Sequence, residues 1–239
     1  MTSRFFEELD HRRTSLGELV LRRRRSPSVA DLVYEVRLDD EMLMSSSVNE
    51  SERALATLAL EPRKDRPLDV LVGGLGLGHT AAAVLEYSNV ERLVVVELLA
   101  PVIDWHRNRL VPLAGPLMED ARCSLVEGDF FEHVAAAGKD RVYDAILLDI
   151  DHAPDCPLLA RNVDFYTPAG MRAMTGHLHP GGVFALWSAW KVPDEVLDAI
   201  RSVFPTVQEH EISFLNPHGG EMDSNRVVTA ERHEVLREE

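Results

Sequence analysis

Val70-Leu71-Val72-Gly73-Gly74-Leu75-Gly76-Leu77-Gly78 is the stretch that decides the fold. A buried apolar run enters glycines at 73, 74, 76 and 78, and an alanine-rich helix is predicted from Thr80. Glycines let a turn take backbone angles that other residues resist, and they let a ligand lie against bare main chain. The helix start then offers N–H groups that have no partner inside the helix. A second apolar run, Leu93-Val94-Val95-Val96, closes on the carboxylate of Glu97. An acid at the end of the next strand, about 20 residues on, can accept both hydroxyls of a ribose. Strand, glycines, helix, strand and acid in that order predict a nucleotide-type ligand. A tight turn that binds nothing is the alternative, and four glycines in the six positions 73–78 argue against it. The spacing of Gly73, Gly76 and Gly78 does not fit the Gly-x-Gly-x-x-Gly pattern of dinucleotide-binding dehydrogenases.

The chain has 239 residues and a formal net charge of −15. That length suits one α/β unit with a modest extension. The acidic balance argues against nucleic acid as a partner, because phosphate contacts need a basic face, and it suits cationic small molecules. No apolar run reaches membrane-spanning length, and Met1-Thr2-Ser3-Arg4 carries no apolar signal region. A cytoplasmic protein without a membrane partner is expected. Cys123 and Cys156 offer neither a disulfide framework nor metal-ligand spacing, and the histidines have none either, so no metal is expected. Arg22-Arg23-Arg24-Arg25 reads as an exposed strand end or a self-association surface, with anion binding as the alternative.

Residues 1–48 read as a small N-terminal β-hairpin extension, with short strands at 16–22, 32–38 and 42–44, turns at 26–28 and 39–41, and a short leading helix over 4–13. So few strand residues bury little alone, so the extension must pack on the rest of the chain or on a second copy, and a homodimer is expected. Residues 49–239 form the predicted main unit. A helix over 49–60, capped by Ser51, is followed by strands at 69–73, 92–97, 123–127, 143–149, 182–188, 206–214 and 225–230. Helices are predicted at 79–88, 100–110, 130–136, 168–177 and 193–203, with a loop over 150–165. Continuous apolar strands such as Ala145-Ile146-Leu147-Leu148 belong to a parallel sheet covered on both faces. Strand–helix alternation then implies a doubly wound α/β sheet whose ligand lies outside the carboxyl ends of the strands. The charged tail after Ala230 is expected to be solvated.

Five strand ends should converge there. They bring the glycine loop, Glu97, then Glu127-Gly128-Asp129, then Asp149-Ile150-Asp151-His152, and Trp187-Ser188-Ala189-Trp190. Asp129 has two compatible readings, an acceptor for an exocyclic adenine amine and an N-cap for the next helix. A carboxylate ending a buried apolar strand is costly to desolvate, which marks Asp149 and Asp151 as candidates to orient an amine or take its proton. The alternative for each is to brace the loop from Ala153. His152 reads as a base, an acceptor-site group or a loop histidine, and His79 as a structural residue at the helix start. Trp187, Trp190 and Phe165 are candidates to wall the crevice, or plain core.

From about Gly17 to Ala230 the chain resembles the spermidine synthase (polyamine aminopropyltransferase) family. The resemblance rests on the hairpin region with Leu38-Asp39, the helix led by Ser51-Glu52, Gly73-Gly74, Glu97, Gly128-Asp129, Tyr143-Asp144 running to Asp149, Phe165-Tyr166 and Pro180-Gly181-Gly182. It implies a Rossmann-like sheet of the S-adenosylmethionine-dependent methyltransferase type. It also implies aminopropyl transfer from decarboxylated S-adenosylmethionine to a small amine, a place in polyamine biosynthesis, and a dimer or tetramer. By that resemblance Gly73, Gly74, Gly76, Gly78, Glu97, Leu98, Gly128 and Asp129 hold the donor. Asp149 is the presumed base, with Asp151 and His152 as further catalytic candidates, and Glu52, Asp151 and Trp187 meet the acceptor.

The chain departs from that family's pattern in the amine half. The loop Gly-Gly-Gly-Asp-Gly-Gly has Gly76 in place of its Asp. Asp-Ser-(Ser/Thr)-Asp-Pro has become Asp149-Ile150-Asp151-His152-Ala153-Pro154. Ser51-Glu52 stands for a Tyr-Gln pair, Met44 for a hairpin Gln, and Leu99 for an acid. Two further readings therefore stay open: a methyltransferase using intact S-adenosylmethionine on a small molecule, and a relative that binds nucleoside without turnover or serves interaction only.

Overall fold

The computed structural model describes residues 6–26, 29–136, 142–217 and 219–233. In chain order the strands are β1 Phe6–Thr14, β2 Gly17–Ser26, β3 Val29–Leu38, β4 Glu41–Ser45, β5 Leu68–Gly73, β6 Val90–Glu97, β7 Cys123–Glu127, β8 Tyr143–Leu148, β9 Leu178–Ser188, β10 Thr206–Leu215 and β11 Met222–Glu231. The helices are α1 Glu50–Leu60, α2 His79–Leu85, α3 Ala100–Arg107, α4 Ala114–Glu119, α5 Phe130–Ala136, α6 Pro168–Thr175 and α7 Asp194–Arg201.

Seven strands form one sheet in the order β10-β11-β9-β8-β5-β6-β7. The pairs from β7 through β9 are parallel, and β11 and β10 add antiparallel at the far edge. The chain runs outward from β5 through β6 to β7, then returns to place β8 on the other side of β5. The order reverses between β5 and β8, so a crevice opens where their carboxyl ends part. The strand interiors supply both faces, because side chains alternate. Val70, Val72, Leu93, Val95, Ala145 and Leu147 pack in one core with α1 to α4. Leu71, Ile146, Leu148, Phe184 and Leu186 pack in a second core with α5, α6 and α7. This is the doubly covered parallel sheet that the apolar runs predicted.

The N-terminal part is larger in strand content than expected. β1 to β4 form a four-stranded antiparallel sheet. The predicted helix over 4–13 is instead strand from Phe6 onward, and its first residues lie outside the described ones. β1 pairs with β2 along its length, and opposite charges face each other across the pair: Glu7 meets Arg23 at 2.8 Å and Arg13 meets Glu18 at 3.3 Å. Pro27 and Ser28 of the expected turn, and residues 234–239 of the charged tail, also lie outside the described ones. The arginine run is not a free strand end. Arg22 and Arg24 lie in mid-strand and reach the buried Glu35 at 2.7 and 2.6 Å. Leu19, Leu21 and Val36 join the first core, and the Trp105 indole N–H donates to Asp10 at 2.8 Å, tying β1 to α3.

Two local corrections bear on the site. Asn49, not Ser51, holds the N-cap position of α1, and Ser51 is buried inside the first turn. The segment 150–165, read as a loop, ends in a 3₁₀ helix over Ala160–Tyr166, and α4 occupies 114–119, where the sequence pattern gave no element. Its Gly115 and Pro116 mask the helical pattern.

Candidate active site

Main-chain hydrogen bonds continue past the strand ends and hold the crevice rim together. Gly74 N donates to Val96 O, Gly128 N to Glu97 O and Asp149 N to Gly73 O, at 2.8–2.9 Å. The backbone at Gly74 has φ of 92°, and a Cβ there would stand 2.0 Å from the carbonyl oxygen of Asp149. Only glycine lets the loop run this close to β8. Gly73 and Gly78 do a different job. A Cβ on Gly73 would meet the Phe130 ring at 2.6 Å, and one on Gly78 would meet Leu117 at 2.7 Å. Both are packing glycines, whereas Gly74 and Gly76 line the crevice.

The crevice encloses about 280 Å³. On the β6–β7 side its walls are Val96, Glu97, Leu98, Leu99, Asp129, Phe130, Phe131, Leu158 and Leu159. Further walls are Leu43 and Met44 of β4, Val48, Glu52 of α1, Trp187 of β9, Phe214 of β10 and Asn225 of β11. Asp149, Ile150, Asp151 and His152 also line it. Of the residues singled out in the sequence, Gly74, Gly76, Glu97, Leu98, Asp129, Asp149, Asp151, His152, Glu52 and Trp187 all meet here. Gly128 lies at the rim through its N–H alone. Trp190 is 45% exposed and donates its indole N–H to Asp155, and Phe165 is packed in the second core, so neither is a wall. Leu43, Met44, Val48 and Phe214 were not singled out as walls. They come from β4, the turn after it and the end of β10, and nothing in their spacing marks them.

Five carboxylates line the space, and their surroundings separate them. Glu97 is buried, and its two oxygens accept from Leu75 N at 2.9 Å and Leu99 N at 2.8 Å. Burial raises its pKa, and those main-chain donors oppose the rise. The N–H groups of Gly76 and Leu98 act on it in the same sense. Asp129 caps α5, accepting from Phe131 N at 2.8 Å, and its other oxygen accepts from Arg161 at 2.6 Å. Asp151 is turned into its own loop: one oxygen accepts from Leu158 N and Asn162, the other from the Tyr166 hydroxyl. The loop-bracing reading of Asp151 therefore has three donors behind it.

Asp149 and Glu52 are less engaged. Thr80 donates to Asp149 at 2.6 Å, and Ser51 lies 2.8 Å from Glu52. The Ser51 hydroxyl also accepts from the Trp187 indole and faces Asn225, each at 2.9 Å. Burial first, and the charge of Glu97 second, push Asp149 up to about 6 against the Thr80 hydrogen bond. Burial first, and the charge of Asp149 second, push Glu52 up to about 7. Two carboxylates with pKa values near neutrality lining one crevice can hold a cation or take a proton. His79, expected to be structural, reaches the crevice too. Burial pushes it down to about 4, so it is neutral, and its Nε2 has no partner. Among the described residues no group of three or more His, Cys, Asp or Glu is placed to hold a metal.

Residues 49–214 match the spermine/spermidine synthase domain family. The chain belongs to that family. It is similar to the polyamine aminopropyltransferase of Pyrobaculum neutrophilum, with 31% identity over 153 residues, covering 61% of this chain and 51% of that one. It is also similar to putrescine N-methyltransferase 2 of Nicotiana attenuata, 29% identical over 143 residues, covering 58% of this chain and 37% of the other. The chain thus spans about half the length, or less, of these relatives. In fold it is similar to a spermidine synthase solved with the transition-state analogue AdoDATO, with a TM-score of 0.73 and 19% identity over 95% of this chain and 74% of that one. Where the family's loop carries an Asp, Gly76 lies against Met44, whose sulfur would stand 3.3 Å from any Cβ. Met44 thus fills the space beside that position.

Proposed function

We propose that this chain is a spermidine synthase-like transferase, moving an aminopropyl group from decarboxylated S-adenosylmethionine to an amine acceptor. The observation that carries the reading is the convergence of Glu97, the Gly74–Gly76 turn and Asp149 on one crevice at the sheet's switch point. Glu97 is fixed by main-chain donors at the end of β6, where a carboxylate suits a ribose diol. Val96, Leu98, Phe130 and Leu159 offer an apolar slot for a base, and the neighbouring Asp129 an acceptor for its amine. Gly74 and Gly76 leave the main chain bare where a sulfonium tail would pass. The fold's likeness to a protein holding AdoDATO supports the same donor class.

Asp149 holds the reacting nitrogen. With its pKa near 6 it is mainly ionised at neutral pH, pairs with an arriving ammonium, and takes a proton from it. The freed amine attacks the carbon next to sulfur. The C–N bond forms as the C–S bond breaks, its electron pair passes to the sulfonium, and a neutral thioether leaves. Thr80 fixes the Asp149 carboxylate through its 2.6 Å hydrogen bond. Alignment of nitrogen and carbon is the chain's main contribution, and it is worth several kcal/mol in general. A homodimer that seats the N-terminal sheet completes the proposal.

One observation favours a second reading, methyl transfer from intact S-adenosylmethionine. No acid stands at position 76 to meet an aminopropyl ammonium, and putrescine N-methyltransferases are among the relatives. Thermal shifts with S-adenosylmethionine, its decarboxylated form and methylthioadenosine separate the two, because a ligand stabilises in proportion to its affinity. The aminopropyl reading expects the decarboxylated donor to stabilise most. A larger shift with intact S-adenosylmethionine transfers the assignment to methyl transfer, and no shift with any compound rejects a nucleoside site.

A further inference from the structure

The carboxylates of the crevice differ in how many donors already hold them. Glu97 accepts from the main chain of Leu75 and Leu99, Asp129 caps α5 and pairs with Arg161, and Asp151 accepts from Leu158, Asn162 and Tyr166. Glu52 and Asp149 are the least engaged, each with one side-chain partner, a neutral hydroxyl. Both line the same crevice, and together they form an anionic locus. Decarboxylated S-adenosylmethionine already brings two cations there, its sulfonium and its aminopropyl ammonium, and the acceptor's reacting amine brings a third. A diamine would bring a fourth.

The part of the lining that comes from β4, the turn before α1, β9, β10 and β11 is largely apolar. Leu43, Met44, Val48, Trp187 and Phe214 make it up, with Ser45 and Asn225 as its polar members. Ser45 is bonded to Ser47, and Asn225 is held by Ser51 and the carbonyl of Ala189. An ammonium placed there would lose water without gaining a counter-charge, which is strongly unfavourable. A methyl or aryl group in the same place gains by burial.

Resting on the transferase reading above, we propose that the acceptor is a primary monoamine. Its single ammonium meets Glu52 and Asp149, and its alkyl or aryl body lies on the wall of Leu43, Met44, Val48, Trp187 and Phe214. Diamines and polyamines are poor acceptors for this chain.

A matched pair tests this. n-Pentylamine and putrescine have the same heavy-atom length, with a methyl group in one where the other has its distal ammonium. The full chain is assayed with each amine, in one arm with decarboxylated S-adenosylmethionine and in another with S-adenosylmethionine, by chromatography of the released nucleoside thioether. The expected result is a kcat/KM for pentylamine at least about tenfold above that for putrescine. In the variant Met44→Glu, which sets a carboxylate on the apolar wall, that ratio should fall about tenfold or more. Equal or better use of putrescine by the unaltered chain overturns the acceptor assignment and leaves the transferase reading standing. Donor binding with no thioether released for either amine overturns both.

Discussion

Replacing Glu52 by Gln should stabilise the protein at alkaline pH while impairing it as a catalyst. Glu52 has a folded-state pKa near 7 against an ordinary 4.5. Below pH 4.5 both folded and unfolded chains hold the proton, and the group is neutral to stability. Between 4.5 and 7 the unfolded chain releases it while the folded one keeps it, so stability falls as pH rises. Above 7 the loss is constant. A shift of about 2.5 units corresponds to about 3 kcal/mol at most, at about 1.4 kcal/mol per unit. Glu52 is half-buried, and solvent screening reduces this to about 1–2 kcal/mol. The glutamine keeps an oxygen for the Ser51 hydroxyl, so packing is preserved. In a chain of this size 1 kcal/mol moves Tm by about 2–4 °C. Glu52→Gln should therefore raise Tm by about 3–6 °C at pH 8, with about a quarter of the gain left at pH 5. Differential scanning calorimetry of the two proteins across that range is the assay. An unchanged Tm at pH 8, or a gain of the same size at both pH values, would refute the claim that an ionised Glu52 is held at a cost.

Two other substitutions separate chemistry from scaffolding. Asp149→Asn should lower turnover about a hundredfold or more while leaving methylthioadenosine affinity within a few-fold, since the amide cannot take the proton; turnover close to the unaltered rate removes Asp149 as base. Glu97→Ala should weaken methylthioadenosine binding in titration calorimetry and also lower Tm, because the buried N–H groups of Leu75 and Leu99 lose their acceptor at about 1–3 kcal/mol each. An unchanged Tm would show that those two hydrogen bonds do not hold the glycine turn.

What could be read without coordinates follows from local chemistry. The glycines after Val72, the acids at 97, 129 and 149, and the continuous apolar runs are short-range patterns, and each maps onto a strand end of a doubly covered sheet. Alternation and handedness gave a doubly wound sheet, while the strand order, with its switch point between β5 and β8, came from the fold. The N-terminal segment was harder. Its first strand pairs with β2, where opposite charges face each other, and is tied to α3 by the Trp105–Asp10 contact, which joins residues far apart in sequence.

Tertiary structure alone decided which acids are free. Asp149 and Asp151 look alike as residues two apart at the end of one strand. Only the folded loop shows that Tyr166, Asn162 and Leu158 return to occupy Asp151, and that Glu52, nearly a hundred positions upstream, comes in beside Asp149. It alone placed Met44 against Gly76 and Phe214 on the same wall. A carboxylate's strength as an acceptor or base is set by its burial, its donors and the charges beside it, and those come from whichever distant segments the core packs around it.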